Sequence, residues 1–137
     1  MTYRIRLATA DEMDDVVALD RETLPEAPPS ADTVWWSAWL GVELVGYAGA
    51  RPAWPGVAYL SRSGVAEAHR GNGIQKRLIR ARVQWARRVM PNTTHCATYT
   101  APHNAPSMRA LITCGFRPYE PVTEYAGPHA VYWRKVL

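Results

Sequence analysis

Residues 65 to 78 read V-A-E-A-H-R-G-N-G-I-Q-K-R-L, and their place between a strand-like run (57–65) and a long helical pattern decides the fold. At the junction, Arg70-Gly71-Asn72-Gly73 sets two glycines directly ahead of a helix whose first N–H groups have no internal partners. Unpaired amides and the positive end of the helix dipole converge on such a turn, which suits a phosphate or pyrophosphate. Glycine is also ordinary chemistry for a strand-to-helix turn, so the turn alone names no ligand. Two nucleotide motifs are excluded: a dinucleotide fingerprint needs a third glycine where Lys76 stands, and no G-x-x-x-x-G-K-[ST] string occurs.

Downstream, Ile74, Leu78, Ala81, Trp85 and Val89 recur at three and four, which predicts an amphipathic helix over 71–90 with Lys76, Arg77, Arg80, Arg87 and Arg88 on its other faces. Pro91-Asn92 stops it, and 94–100 reads as a fifth strand. Asn104 caps a short helix with Pro106 near its start and Gly115 beyond its end, and 116–121 and 130–136 are the last two strands.

Upstream, Tyr3, Ile5 and Leu7 share one face of a first strand (2–8). Thr9-Ala10-Asp11-Glu12 has capping-box spacing and opens a short acidic helix toward Thr23. Pro25, Pro28 and Pro29 end that helix, and Ser30 is placed to cap one further helical turn. A hairpin follows, pairing 34–40 with 44–51, and Pro52, Pro55 and Gly56 close it before 57–65. The order predicts an α/β fold over residues 1–137 as one domain. Its centre is a single mixed, largely antiparallel sheet of about seven strands, flanked on both faces by three to four helices.

With 47% apolar and 20% charged residues in a chain of 137, the composition is that of a soluble globular protein. No apolar run is long enough to span a bilayer, and Met-Thr-Tyr-Arg-Ile-Arg lacks the apolar core of a signal peptide, so a cytoplasmic protein without a membrane partner is expected. Cys96 and Cys114 have neither the number nor the spacing of a metal site or disulfide framework and read as buried thiols; no metal is expected. The net charge of +4 conceals an asymmetry. Nine of the 12 acids lie between Asp11 and Glu43, whereas 68–119 holds no acid and nine Arg or Lys. A basic half suits a polyphosphate or nucleic acid and an acidic half suits a cation, though both also read as solvated faces.

The order of elements, the 65–78 stretch and the later Asn104-Ala105-Pro106-Ser107 with Cys114-Gly115-Phe116 together resemble the GNAT superfamily of acyl-CoA-dependent N-acyltransferases. The family's glycine signature is [QR]-x-x-G-x-[GA]; Arg70 and Gly73 match it, and Gln75 departs from its last place. An asparagine eleven residues before a Gly-Phe pair is a second landmark, met by Asn104, Gly115 and Phe116. The resemblance implies that acetyl-CoA is the co-substrate. Its pyrophosphate would lie on the amides of the turn formed by Arg70, Gly71, Asn72, Gly73, Ile74, Gln75 and Lys76. The backbone of Val65 and Ala66 would pair with the pantetheine arm, the Val65 N–H would hold the oxyanion, and Asn104 and Ser107 would meet the distal part of coenzyme A.

The family's usual tyrosine acid, seven residues after the asparagine, is here Leu111. A position five residues before the asparagine, which carries a general base in one branch, is here Tyr99. Tyr99 is therefore the catalytic candidate, as an acid or as a residue that orients water. Glu22, Glu26 and Glu43 are candidate bases, and tryptophans 35, 36 and 39 candidate walls of an acceptor pocket. The implied activity is N-acetyl transfer to a primary amine of a small molecule or of a peptide or protein, by direct attack in a ternary complex. Two alternatives remain. Leu111 and Gln75 suit a module that binds coenzyme A without turnover. The arginines from Lys76 to Arg88 suit a nucleic-acid-associated domain, although no stacking platform accompanies them. A seven-stranded sheet with an exposed edge also leaves room for a homodimer.

Overall fold

The computed structural model describes residues 2–25 and 28–137. One seven-stranded sheet runs through it in the order β1-β2-β3-β4-β5-β7-β6. The strands are β1 (Tyr3–Leu7), β2 (Val34–Leu40), β3 (Glu43–Trp54), β4 (Val57–Val65), β5 (His95–Thr100), β6 (Arg117–Pro118) and β7 (Val131–Val136). Every neighbouring pair is antiparallel except β4 and β5, which run parallel. Three α-helices cover it: α1 (Met13–Thr23), α2 (Ile74–Val89) and α3 (Ala105–Thr113).

Helices lie on both faces, as the sequence predicts. The Val65 face carries α2 and α3. There Trp36, Ala38, Leu60, Cys96 and Trp133 form the main core with Ile74, Leu78, Ile79, Val83 and Ala86 of α2 and Ala110 and Leu111 of α3. The opposite face carries α1, with Val16 fully buried and Thr23 bonded to the Tyr47 hydroxyl at 2.6 Å. Gly64 is obligatory on this face, because a Cβ there would stand 2.7 Å from both Thr23 Oγ1 and Tyr47 Cε1.

Several expectations are corrected. Ser30 starts no helical turn: its carbonyl accepts the N–H and hydroxyl of Thr33 in a tight turn leading into β2. The second-last strand is only Arg117–Pro118, and Tyr119 begins a loop that runs to β7. Pro52 does not close β3, which continues to Trp54: Pro52 lies opposite Ala58, beyond the last β2 partner of β3 at Ala50, and a register shift follows it. On α2 the buried face is Ile74, Leu78, Ile79, Arg82, Val83 and Ala86, whereas Val89 is exposed. The true stripe is two residues wide, and a cation stands within it.

That cation, Arg82, is 3% exposed and has no carboxylate partner among the described residues. Its Nε donates to Leu78 O at 3.1 Å and its Nη1 to Gly49 O at 3.2 Å. Burial pushes its pKa down to about 10, which leaves it charged at neutral pH. The contact with β3 falls where the β3–β4 ladder changes register: Gly49 pairs with Arg62 and Ala50 with Leu60, so Ser61 is the extra residue of a β-bulge.

From the other face, Asp20 of α1 accepts two bonds from Arg62 of the bulge, Nε to Oδ1 at 2.7 Å and Nη2 to Oδ2 at 3.0 Å. The two side chains are 2% and 7% exposed. A bidentate pair this dry is costly to break, because two charge-assisted hydrogen bonds are lost away from water. Asp20→Ala is expected to lower stability by about 3–5 kcal/mol, whereas the double change Asp20→Leu, Arg62→Met costs less than the single. Urea unfolding of the three proteins checks this, and equal losses would overturn it.

Candidate active site

The bulge has a consequence for the neighbouring strand. β4 and β5 pair only through Val57, Ala58 and Tyr59 against His95, Cys96 and Ala97, and beyond that the two strands part. A channel of about 210 Å³ occupies the fork. Leu24, Ser61, Arg62 and Tyr99 line it toward the α1 face, and Ser63, Gln75, Ile79, Asn104, Ser107 and Leu111 toward the α2–α3 face. The channel therefore passes through the sheet, and a molecule on one face can meet a molecule on the other within it.

The open edge of β4 follows from the ladder. Ala66 donates its N–H to Val45 O at 2.8 Å, which makes Gly46 and Val65 a non-hydrogen-bonded pair. The N–H and C=O of Val65, and by the period of two those of Ser63, point away from β3 toward the fork. The Val65 carbonyl is taken by Arg70 Nε at 3.0 Å, which leaves its N–H as the group directed there. Ala66 does not share this role, because its N–H is bound to Val45 and its carbonyl accepts from His69 N at 2.9 Å.

The glycine turn has the geometry that its sequence requires. Gly71 and Gly73 have φ of 80° and 77°, and Gly73 is the N-cap of α2. A Cβ on Gly71 would meet nothing within 4 Å, and one on Gly73 only the end of Lys76 at 3.9 Å. The left-handed backbone, and not crowding within the protein, demands these glycines. The first intrahelical bond runs from Arg77 N to Gly73 O, so the amides of Ile74, Gln75 and Lys76 lie ahead of it at the positive end of the helix. Asn72 braces the turn through its Nδ2, which donates to His69 O at 2.9 Å. Arg70, Gly71 and Asn72 are exposed.

On α3, Asn104 is the N-cap and its side chain accepts the Ser107 N–H at 3.3 Å; both residues line the channel. Leu111 is buried and also lines it, so the position where the resemblance leads one to expect an acid presents a hydrocarbon. Tyr99 is 43% exposed and is the one tyrosine among the described residues that lines the channel. An aromatic cluster stands beside it on the same side of the sheet, with Tyr125 in ring contact with Tyr99, Tyr59, Trp54 and Tyr132. Burial pushes the hydroxyls of Tyr59 and Tyr125 well above the ordinary tyrosine range.

Other candidates lie elsewhere. Glu22 is exposed on the last turn of α1, and Glu26 falls outside the described residues. Glu43 meets His69 Nε2 at 3.3 Å, and His69 in turn lies 3.2 Å from the Tyr3 hydroxyl, so this carboxylate ties the loop after β4 to the sheet edge. None of tryptophans 35, 36 and 39 lines the channel: Trp36 packs on Trp85 in the core, Trp35 on Tyr47, and Trp39 beneath Arg6. The acidic first third is partly consumed internally. Glu12 pairs with Arg6 and accepts the Thr9 N–H at 2.9 Å, which hold its carboxyl below the usual range against the upward push of burial. Sequence reasoning missed Asp20, Arg62, Arg82, Ser61 and Ser63. Each is polar, and no local pattern in the sequence sets any of them apart.

Three buried side-chain polar atoms lack a partner among the described residues: Trp39 Nε1, Ser61 Oγ and Gln75 Oε1. Two of the three belong to residues lining the channel.

The profile described as "Acetyltransferase (GNAT) family" matches residues 4–116. No curated protein sequence matches the chain. Among solved structures, an acetyltransferase of the GNAT family from Streptococcus pneumoniae superposes with a TM-score of 0.78 at 12% identity, over 99% of both chains. Arabidopsis thaliana NAA60, solved with a bisubstrate analogue, gives 0.74 at 20% identity over 99% of both chains. The aminoglycoside acetyltransferase AAC(6')-Ib with coenzyme A gives 0.74 at 23% identity, over 98% of this chain and 95% of that one. At these identities the likeness is one of fold.

The cysteines take no part in the channel. Both are free and buried; burial pushes the Cys96 thiol up to about 11 and the Cys114 thiol upward as well. A thiol-specific reagent at pH 7.5 should react with either at least about 100-fold slower than with a free thiol. Both should appear at once on unfolding in urea. A fast-reacting thiol in the native protein would contradict this.

Proposed function

This chain belongs to the acetyltransferase (GNAT) family, and from that premise we propose that it transfers an acetyl group from acetyl-CoA to a primary amine of a small molecule or of a peptide or protein. The observation that carries the reading is the through-sheet channel at the β4–β5 fork, with an anion-ready helix terminus at one mouth and an open strand edge along its wall.

In this reading the pyrophosphate of the donor lies on the amides of Gly71 to Lys76, and its pantetheine arm runs along the open edge of β4 as an added strand would. Asn104 and Ser107, on the first turn of α3, bound the arm from the opposite side. The thioester carbonyl meets the Val65 N–H, the group the ladder turns toward the fork. The amine approaches from the α1 face.

Its nitrogen attacks the carbonyl carbon, and a C–N bond forms as the carbonyl electrons pass to oxygen. The oxyanion then collapses, the C–S bond breaks, and the sulfur leaves as a thiolate. Tyr99 donates its proton to that thiolate and is reprotonated from the nitrogen, which ends as a neutral amide. Tyr99 is suited to this by being the channel's one phenol, and the hydroxyl of Tyr125 beside it is occupied with Thr98 O at 3.2 Å. Holding a neutral amine against the thioester supplies a large share of the acceleration.

Calorimetric titration with acetyl-CoA, desulfo-CoA and a nucleic-acid oligomer, followed by turnover on an amine panel, tests the assignment. The coenzymes should bind and the oligomer should not; the reverse would sink it. Gly73→Val puts a β-branched residue at a φ of 77° and should weaken coenzyme binding about tenfold or more while the circular dichroism spectrum is retained. Tyr99→Phe should lower kcat by about 100-fold with the affinity for acetyl-CoA unchanged. An unchanged kcat would remove Tyr99 from the chemistry.

A further inference from the structure

Gln75 stands where the family signature has glycine or alanine, and the structure shows where its side chain goes. It leaves the first turn of α2 and crosses to β4, with Nε2 donating to Ser63 Oγ at 2.7 Å. The bridge spans the channel wall between the glycine turn and the open edge of β4. It leaves one buried group unmet and one half-buried hydroxyl with a hydrogen to donate. Gln75 Oε1 is buried and has no partner among the described residues. Ser63 Oγ accepts from Gln75, and no bond that its own hydroxyl donates is found among the described residues. Turning the Gln75 amide over exchanges the two ends and still leaves one of them unpaired. A buried unpaired amide end costs on the order of 1–3 kcal/mol, so its persistence in a channel wall points to a partner that arrives with a ligand.

The unmet pair is one acceptor and one donor, side by side, which is the complement of a secondary amide. We propose that Gln75 and Ser63 form a side-chain clamp for a secondary amide of the pantetheine arm. Gln75 Oε1 accepts the ligand N–H and the Ser63 hydroxyl donates to the ligand C=O. This rests on the acyl-CoA reading above and adds a contact to side chains where the rest of the arm is held by backbone. The clamp sits between the turn that takes the pyrophosphate and the Val65 N–H that meets the thioester, so it fixes how deep the acyl group enters the fork. The residue that departs from the signature thus gains a bond in place of backbone clearance.

The test compares two ligands that share the nucleotide and differ in the arm: coenzyme A, and adenosine 3′,5′-bisphosphate, which has no pantetheine. Calorimetry is run on wild type, Gln75→Met, Gln75→Ala and Ser63→Ala, with melting temperatures recorded. Gln75→Met and Ser63→Ala should each weaken coenzyme A by about 5- to 30-fold and leave the bisphosphate within twofold. An equal loss on both ligands would mean that the substitution disturbs the glycine turn, and it would overturn the clamp. Unchanged or tighter coenzyme A binding by Gln75→Met and Ser63→Ala would also overturn it, with the acyl-CoA reading intact. Wild type that binds neither ligand would overturn both readings together. Should Gln75→Met melt early, Gln75→Ala restores the family's own residue type and is read in the same way.

Discussion

The separation of β4 from β5 is the constraint on which the rest of the molecule depends. Two parallel strands that stop pairing after three residues turn backbone groups into a gap in the middle of a sheet, and side chains meet only some of them: the Thr98 hydroxyl donates to Leu60 O at 2.8 Å and Arg70 Nε to Val65 O. The β-bulge at Ser61 bends β4 away from β5, and the bend has to be held open by something other than the ladder. Arg82 supplies part of this from the α2 face, through its bond to the Gly49 carbonyl opposite the bulge. The Asp20–Arg62 pair grips the bulge from the α1 face. A buried cation and a buried ion pair are expensive choices for stability alone, since apolar replacements of similar volume are often equal or better. Their placement on the two sides of one bulge gives a reason for their presence, namely that they fix the geometry of the fork.

This explains which parts of the molecule were legible from sequence and which were not. The succession of elements along the chain, the glycine turn and the Asn104 cap were readable because each follows from local chemistry: alternation, positive φ at Gly71 and Gly73, and a side chain accepting a backbone N–H. The buried face of α2 was read about one residue out of phase, because a cation at position 82 marks a polar line in any periodicity argument. Only tertiary contact with a carbonyl made available by the bulge turns that line inward. Asp20 was hidden for the same reason. In sequence it is one of nine acids in a run that reads as a solvated face, and nothing local announces that its partner lies 42 residues away.

The charge asymmetry was legible as a count and misleading as a map. Glu12 is spent on Arg6 and Asp20 on Arg62, whereas Glu43 meets His69 and stays largely exposed, so the acids that remain for solvent or a ligand are somewhat fewer than the composition suggests. Among the described residues, no carboxylate lines the channel. Toward the α1 face the channel presents Leu24, Ser61, Arg62 and Tyr99, and the aromatic cluster around Tyr125 lies next to it. That wall is apolar, hydroxylic and cationic rather than acidic.

The departures from the family pattern have different weights, and the structure gives the reason. A site that grips its ligand mainly by backbone amides is insensitive to side-chain identity as long as φ and ψ are kept, because the donors belong to the fold. Gln75 therefore leaves the amides of its turn in place and adds a side chain to the channel wall. Leu111 is different in kind. An acid acts through its own side chain, and no backbone group can stand in for it. A channel with a hydrocarbon at that position has to find its proton elsewhere along the wall, and on this wall the phenol lies on β5 rather than α3. The channel's phenol thus stands toward the α1 face of the sheet, while Leu111 stands toward the α2–α3 face. Had the usual tyrosine been present, the two would approach the channel from opposite sides of the sheet.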